Sequence, residues 1–349
     1  MKNYKKTYSR EYVQALFENK EGLMVEEPPM QLVVPSNKCL FCYERLQQGA
    51  YFHEACNKRF FAEKETPLLD FRLQDLKLLA QHILQSQQAV AGVQAKISLS
   101  KTKQGGDSSK KLTIVGMHGH YILKPPSHYY PELPEVEDVT MHLAQACGLD
   151  VVPHTLVYLS DGTRCYLTKR VDRLTKNRML HMEDLCQLSG RLTEDKYKGS
   201  HEQACKVLMQ YSATPLVDAS NYWDLVLFCF LTGNADMHLK NFSLLENTAL
   251  GGYTLSPAYD LLNTAVVNPA DKEELALTLN GKKSKLKQSD FRAAYLRSGL
   301  TEKAFDKMLE SLYYCLPAML SKLEDSFLSN AMKEAYQKVL VQRYQQLYA

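Results

Sequence analysis

Residues 234–241 read Asn234-Ala235-Asp236-Met237-His238-Leu239-Lys240-Asn241, directly after the apolar run Asn221–Thr232. That juxtaposition decides the second half of the fold. Wound at helical pitch, the run carries apolar side chains on nearly every side, which suits a helix only in an interior. The polar octet is then a loop anchored by a buried helix. Beyond it, Phe242–Leu245 and Tyr253–Ser256 predict a small hairpin, and the segment Ser256-Pro257-Ala258-Tyr259-Asp260 closes it. From Met182 onward the pattern is mostly helical, and residues 288–348 predict helices throughout.

Upstream the pattern favours strands. Ala91–Ser100 reads as a turn entering a strand, Gly105-Gly106-Asp107 as a loop, and Lys111–Val115 and Tyr121–Lys124 as strands. Pro134–Cys147 predicts a helix with Val136, Val139, Leu143 and Cys147 on one face and Gly148 as its stop. Thr155–Leu159 and Cys165–Thr168 predict strands flanking the turn Ser160-Asp161-Gly162. Leu69–Leu84 has helical spacing, and a shorter helix is expected near Arg10–Asn19. The expected organisation is α+β and bilobal: an N-terminal segment at 1–65, a sheet-rich lobe at 66–175 and a helical lobe at 176–349. A cleft between such lobes is a usual place for a ligand.

Composition narrows the class. With 349 residues, 45% hydrophobic and 23% charged, the chain can build a large core. A net charge of +3 neither demands nor excludes a nucleic-acid partner. No stretch approaches the roughly 20 apolar residues of a membrane span, and no signal-peptide core follows the basic, tyrosine-rich start. The expectation is a cytoplasmic protein that does not engage membranes. Its nine cysteines are odd in number and would stay reduced there. Cys147, Cys165, Cys186, Cys205 and Cys229 read as core thiols, and Trp223 as core packing.

The octet carries an acid, a base and two amides. Phosphoryl transfer needs an acceptor hydroxyl held in line and metal ions that neutralise the phosphate oxygens. Asp236 can orient that hydroxyl and take its proton. Asn241, five residues later, has the offset of the amide that holds magnesium in a protein-kinase catalytic loop. Lys240 is placed to steady the transferring group, and Asp260 supplies the further carboxylate that hard magnesium favours. Turn chemistry alone explains either segment taken singly. The two together, in this order, favour catalysis.

Lys124 ends a strand and can bind the α- and β-phosphates as a point charge. Glu137, on the following helix, is a candidate partner, with Glu135 and Asp138 as competitors. Ala91-Gly92-Val93-Gln94-Ala95-Lys96 places a glycine in a turn before a strand, where backbone N–H groups can cradle phosphate. A solvated strand end and an ordinary turn are the plain alternatives. A separate block, Cys39-x2-Cys42 with His53-x2-Cys56, has the spacing of two hooks around a tetrahedral zinc ion, with Gly49 in the connecting turn. Such a closed shell would be structural, and Lys58, Arg59, Phe60 and Phe61 beside it could dock on the core or on a partner. A chance cluster of small hydrophobes is the alternative.

Taken together, AGVQAK (91–96), YILKPP (121–126), KRVDR (169–173), EDLCQ (183–187), GNADMHLKNFSL (233–244) and SPAYDLLN (256–263) resemble the HipA-like serine/threonine kinases, toxin components of bacterial toxin–antitoxin systems. The resemblance covers about residues 86–345 and implies a bilobal protein-kinase-like fold using ATP and Mg2+. By similarity Asp236 is the catalytic base, and Asn241 and Asp260 hold magnesium. Ala91 to Lys96 form the phosphate loop, Lys124 contacts the phosphates, and Lys169, Arg170 and Val171 form the hinge that meets adenine. His238 and Tyr259 also fall in the ATP-binding set.

Two departures stand out. The family often carries an autophosphorylated serine just before the phosphate loop, where this chain has Ala89 and Val90; Ser86, Ser98 and Ser100 lie nearest. The longest members also have a larger N-terminal subdomain, which a separate small protein could replace here. The implied substrate is a bacterial protein, an aminoacyl-tRNA synthetase in particular, with growth arrest as the outcome. The implied partner is a helix-turn-helix antitoxin, through which any DNA contact would be indirect. A catalytically weak module that binds nucleotide or antitoxin, and a small-molecule kinase, stay open as alternatives.

Overall fold

In the computed structural model, residues 37–47, 49–76, 95–103, 110–115, 119–127, 129–174 and 178–348 are described. The expected helix at Arg10–Asn19, the loop at Gly105–Asp107 and Ala91–Gln94 lie outside them. Of the expected Leu69–Leu84 helix, residues 73–76 are helical, residues 69–72 are described and are not, and 77–84 lie outside.

The chain divides into two units. One holds the described residues from 37 to 138 together with 152–173, and the other holds 139–151 and 174–348. The first contains a short helix, α1 (Glu54–Phe61), and five strands: β1 (Ile97–Lys103), β2 (Lys110–Ile114), β3 (Tyr121–Lys124), β4 (His154–Tyr158) and β5 (Arg164–Lys169). They form one antiparallel sheet in the order β2-β1-β3-β5-β4. β3 lies at its centre, with Tyr121 opposite Lys169 and Lys124 opposite Tyr166. Side chains on a strand alternate between faces. Leu99, Leu112, Leu123, Leu156 and Leu167 are accordingly all fully buried.

Both sheet edges are covered, which removes an open template for pairing with other chains. Leu68 pairs with Lys111 beside β2. On the far side the Leu156 N–H donates to the Leu40 carbonyl at 3.4 Å. The β4–β5 turn needs a glycine, because Gly162 sits at φ +81°.

α2 (Leu133–Ala146) begins in the sheet unit and continues into the second. Its later turns group with the helices because they pack there; Thr140 Oγ1 lies 3.0 Å from the Tyr336 hydroxyl. Gly148 at φ +85° follows it. The second unit also contains β6 (Met182–Asp184), α3 (Leu185–Leu188), α4 (His201–Tyr211), α5 (Pro215–Leu231), β7 (Ser243–Asn247), β8 (Gly252–Leu255), α6 (Thr264–Val267), α7 (Gln288–Arg297), α8 (Glu302–Asp325) and α9 (Asn330–Tyr348). The expected hairpin is β7–β8. β6, which the sequence did not announce, joins it to make a three-stranded antiparallel sheet.

α5 is the expected interior helix. Tyr222, Trp223 and every residue from Leu225 to Leu231 are buried. It starts earlier than its apolar run because Pro215 suits the first helical position. Asp218, also in the first turn, is buried with its Oδ2 accepting from Ser212 Oγ and, at 2.9 Å, from the Leu255 N–H.

The expectation of uniformly reduced core thiols is corrected in one place. Cys147 and Cys315 form a disulfide, their Cα atoms 5.5 Å apart. Cys147 is half-buried at the end of α2, where it meets α8. The remaining expected core cysteines, Cys165, Cys186, Cys205 and Cys229, are free and buried, and Trp223 is buried as well.

Candidate active site

The polar octet is fixed by its surroundings before any ligand is considered. α5 stops at Gly233, whose φ is +67°. A Cβ there would lie 2.8 Å from Val339 Cγ1 and 3.0 Å from Ala265 Cβ. Glycine is required on both counts. Asn234 is fully buried, and its Oδ1 accepts from the Asp236 N–H at 3.1 Å. Thr264, opening α6, accepts from the Ala235 N–H at 2.8 Å and donates to the Gly233 carbonyl at 3.0 Å.

Asp236 and Asn241 are tied together within this frame. The Asn241 Nδ2 donates to the Asp236 carbonyl at 3.0 Å, and the Asn241 N–H to the His238 carbonyl at 2.9 Å. With the amide nitrogen engaged, the carbonyl oxygen is the end of Asn241 that a cation would use. The Asp236 carboxylate accepts from the Tyr197 hydroxyl at 2.5 Å. Tyr197 also meets the His238 ring edge-on, with centroids 4.8 Å apart.

Asp260 belongs to the same cluster. The neighbouring Tyr259 hydroxyl donates to the Lys240 carbonyl at 3.1 Å and meets Ser243 Oγ at 2.5 Å, bolting the segment after β8 onto the octet. Asp260 takes a left-handed backbone, φ +57°. Burial lowers the His238 imidazole below its ordinary pKa, while the carboxylates of Asp236 and Asp260 both pull it the other way. One ring therefore feels both acids. Its Nδ1 is buried and has no hydrogen-bond partner among the described residues. Lys240, half-exposed, pairs with Asp184 at 2.8 Å. Asp184 also caps α3 by accepting from the Gln187 N–H at 2.9 Å.

The sheet unit holds the other expected residues. Lys124 Nζ lies 2.5 Å from Glu137 Oε1, with both side chains almost fully buried at 5% and 3% exposure. The ammonium also sits 5.4 Å from the centre of the Tyr166 ring. The competing acids are engaged elsewhere. Glu135 pairs with Arg164 at 2.9 Å, and Asp138 accepts from the Tyr43 hydroxyl at 2.6 Å and pairs with His154 Nδ1 at 2.9 Å. Of the expected hinge residues, the Lys169 ammonium has its pKa lowered by burial, and Arg170 makes a two-pronged contact with Asp172 at 2.9 and 2.7 Å. Val171 follows in the turn after β5. Ala95 and Lys96 lead into β1.

Cys39, Cys42, His53 and Cys56 also converge in the sheet unit, with one candidate ligand atom from each lying within 4.8 Å of the others. The Cys42 thiol's hydrogen bond pulls Cys39 down to about 4, assisted by backbone N–H groups of Phe41, His53 and Cys42. The same contact raises Cys42, and burial raises Cys56 to about 11.

Sequence reasoning missed Tyr197, Asp184 and Thr264. Tyr197 lies 39 residues before Asp236 and Asp184 lies 56 before Lys240, so no local spacing joins them. Gly233 carried a signal that could have been read, a glycine between a buried helix and a polar loop.

Two Sinorhizobium fredii (strain NBRC 101917 / NGR234) proteins are similar to the chain. "Putative kinase Y4mE" is 33% identical over 58% of this chain and 48% of its own length, and "Putative kinase Y4dM" is 32% identical over 62% and 54%. The chain thus spans about half the length of the curated relatives it matches. Among solved structures, HipA of Shewanella oneidensis MR-1, in a complex with HipB and operator DNA, superposes with a TM-score of 0.61 at 19% identity, over 87% of this chain and 80% of that one. The Helicobacter pylori proinflammatory kinase CtkA gives 0.50 at 16% identity, over 72% and 93%. These likenesses establish a shared fold, the HipA and CtkA architecture of sheet and helices. The model of the HipA-like C-terminal domain matches residues 88–319. The chain therefore belongs to the HipA-like C-terminal domain family.

Proposed function

We propose that the chain is an ATP- and Mg2+-dependent protein kinase that phosphorylates serine or threonine. The observation that carries this reading is the octet itself. Asp236 and Asn241 are locked together, the charge of Asp260 acts on the His238 imidazole of the same loop, and the Asp236 carboxylate already holds a hydroxyl. The donor set fits the group it would hold: carboxylate and amide oxygens suit a hard cation, and the buried, unsatisfied His238 Nδ1 offers a polar contact to a nucleotide. Bound magnesium supplies charge neutralisation on the phosphate oxygens.

The chain's own residues do the rest. Asp236 accepts the hydrogen bond of the acceptor hydroxyl, aligns its lone pair and takes its proton. Asn241 and Asp260 are the magnesium ligands, and Tyr259 keeps Asp260 registered against the octet. Lys124, held by Glu137, contacts phosphate, as would the loop at Ala91 to Lys96 and the adenine-facing residues Lys169, Arg170 and Val171. Lys240 has a different setting from a free phosphate contact, because Asp184 holds it. It reaches a phosphoryl group only by leaving that pair.

The biological reading follows the family. A bacterial protein, with aminoacyl-tRNA synthetases as the first candidates, is the substrate, and a helix-turn-helix antitoxin restrains the kinase. The complex of the Shewanella protein with HipB and DNA supports such a partner.

The test is labelling of a bacterial lysate with radiolabelled ATP and magnesium, followed by phosphoamino-acid analysis. Wild type should label at least one protein on serine or threonine, and Asp236→Asn should label none. Equal labelling by the two proteins would end the proposal.

A further inference from the structure

We propose that Cys39, Cys42, His53 and Cys56 bind one structural Zn2+ ion, which staples the segment before the sheet onto the sheet. The argument is geometric and independent of the kinase reading.

A tetrahedral zinc ion with Zn–S near 2.3 Å and Zn–N near 2.0 Å sets sulfur–sulfur edges of about 3.8 Å and sulfur–nitrogen edges of about 3.5 Å. His53 Nδ1 lies 3.5 Å from Cys42 Sγ and 3.7 Å from Cys56 Sγ, and one ligand atom from each of the four residues falls within 4.8 Å of the others. The group therefore has the span of a mononuclear site. A four-iron cluster would hold its thiolates farther apart. The orientation of His53 also fits. Its Nε2 is 2.8 Å from the Arg45 carbonyl, so Nε2–H donates there and the Nδ1 lone pair faces the sulfurs. Metal-ligating histidines are commonly fixed by such an outer contact. Ordinary packing of small hydrophobes would not align the ring in this way.

The segment has a reason to need a staple. It contributes few apolar side chains, chiefly Leu40, Phe52, Phe60 and Phe61, too few for a core of its own. The two hooks present these to the sheet. Phe60 and Phe61 meet edge-on at 4.7 Å, and Phe60 lies 5.9 Å from Tyr121 of β3. Between the first hook's cysteines, the Leu40 carbonyl accepts from Thr155 Oγ1 at 3.0 Å. Just after them, the Tyr43 hydroxyl donates to Asp138, one residue from Glu137 on α2. The ion would thus hold both an edge of the sheet and the turn of helix that carries the partner of Lys124.

The experiment uses the full chain, purified without chelator from zinc-supplemented cells, with metal measured by plasma mass spectrometry. The expected result is about one zinc per chain in wild type, falling at least tenfold in Cys42→Ser and in Cys56→Ser. Because loss of the fold would also empty the site, wild type is reloaded with cobalt as well. Thiolate-to-cobalt absorption with intense tetrahedral d–d bands supports the site. Zinc at background in the folded wild type, an iron-sulfur spectrum, a disulfide within the cluster, or an octahedral cobalt spectrum overturns it. None of these readouts depends on phosphorylation, so the result stands apart from the fate of the kinase proposal.

Discussion

The hydroxyl of Tyr197 donates to the carboxylate of Asp236 at 2.5 Å, in the position that an acceptor serine or threonine would need. Tyr197 is partly exposed, and its hydroxyl is held protonated by burial and by Asp236 itself. On the proposed kinase reading, an incoming substrate hydroxyl has to displace it. A typical hydrogen bond contributes about 1 kcal/mol net, so Tyr197→Phe should improve the apparent affinity for protein substrate by roughly fivefold. Initial-rate kinetics would show this as a lower KM. A fall to the level of Asp236→Asn would instead make Tyr197 part of the machinery that orients the carboxylate.

Lys124 and Glu137 form a buried ion pair at 2.5 Å, and removal of either one takes from the other its opposite charge at that distance. Lys124→Met should destabilise the protein by about 3–5 kcal/mol. The double variant Lys124→Met with Glu137→Leu should recover much of that loss while remaining unable to phosphorylate. Urea unfolding of the three proteins checks the ordering.

Gly233 permits no side chain, because its φ is +67° and a Cβ would meet Val339 Cγ1 at 2.8 Å. Gly233→Ala should cost about 1–3 kcal/mol of stability. The displacement falls on the residues leading into Asp236, so labelling activity should fall more steeply than stability. Thermal melts and kinase assays on the same preparation separate the two losses.

Burial lowers His201 to about 3, and it lowers His238 as well. His201 is held neutral in the folded protein, while an unfolded histidine takes up a proton near pH 6.5. Protons then bind the unfolded chain preferentially as pH falls, and stability is lost on the acid side of that value. His201 alone should account for about 2 kcal/mol between neutral pH and pH 5. His201→Leu should flatten the acid limb of a stability-versus-pH curve; an unchanged slope would show that the imidazole is not the source.

The parts of the fold that the sequence announced were those set by local periodicity. β3 has the bounds that alternation gave it, and the end of α5 and the β7–β8 hairpin bracket the octet as its apolar and polar runs suggested. The start of α5 was hidden because Asp218 looks like a loop residue, yet is buried against Ser212 and Leu255. The choice among Glu135, Glu137 and Asp138 was also hidden. Successive helical residues point about 100° apart, so which acid faces Lys124 depends on how α2 is rotated against the sheet. β6 is three residues long, too short to show alternation. The Cys147–Cys315 link joins positions 168 apart. Tyr197 reaches Asp236 through tertiary folding alone.

The left-handed backbone of Asp260 has a genetic consequence. Glycine, asparagine and aspartate accept that conformation readily, whereas branched or bulky residues do not. In a saturation library at this codon, Asn and Gly should yield folded proteins that fail at catalysis, and Val or Ile should fail at folding first. Shape and charge, fused in one native residue, would separate into two classes of allele.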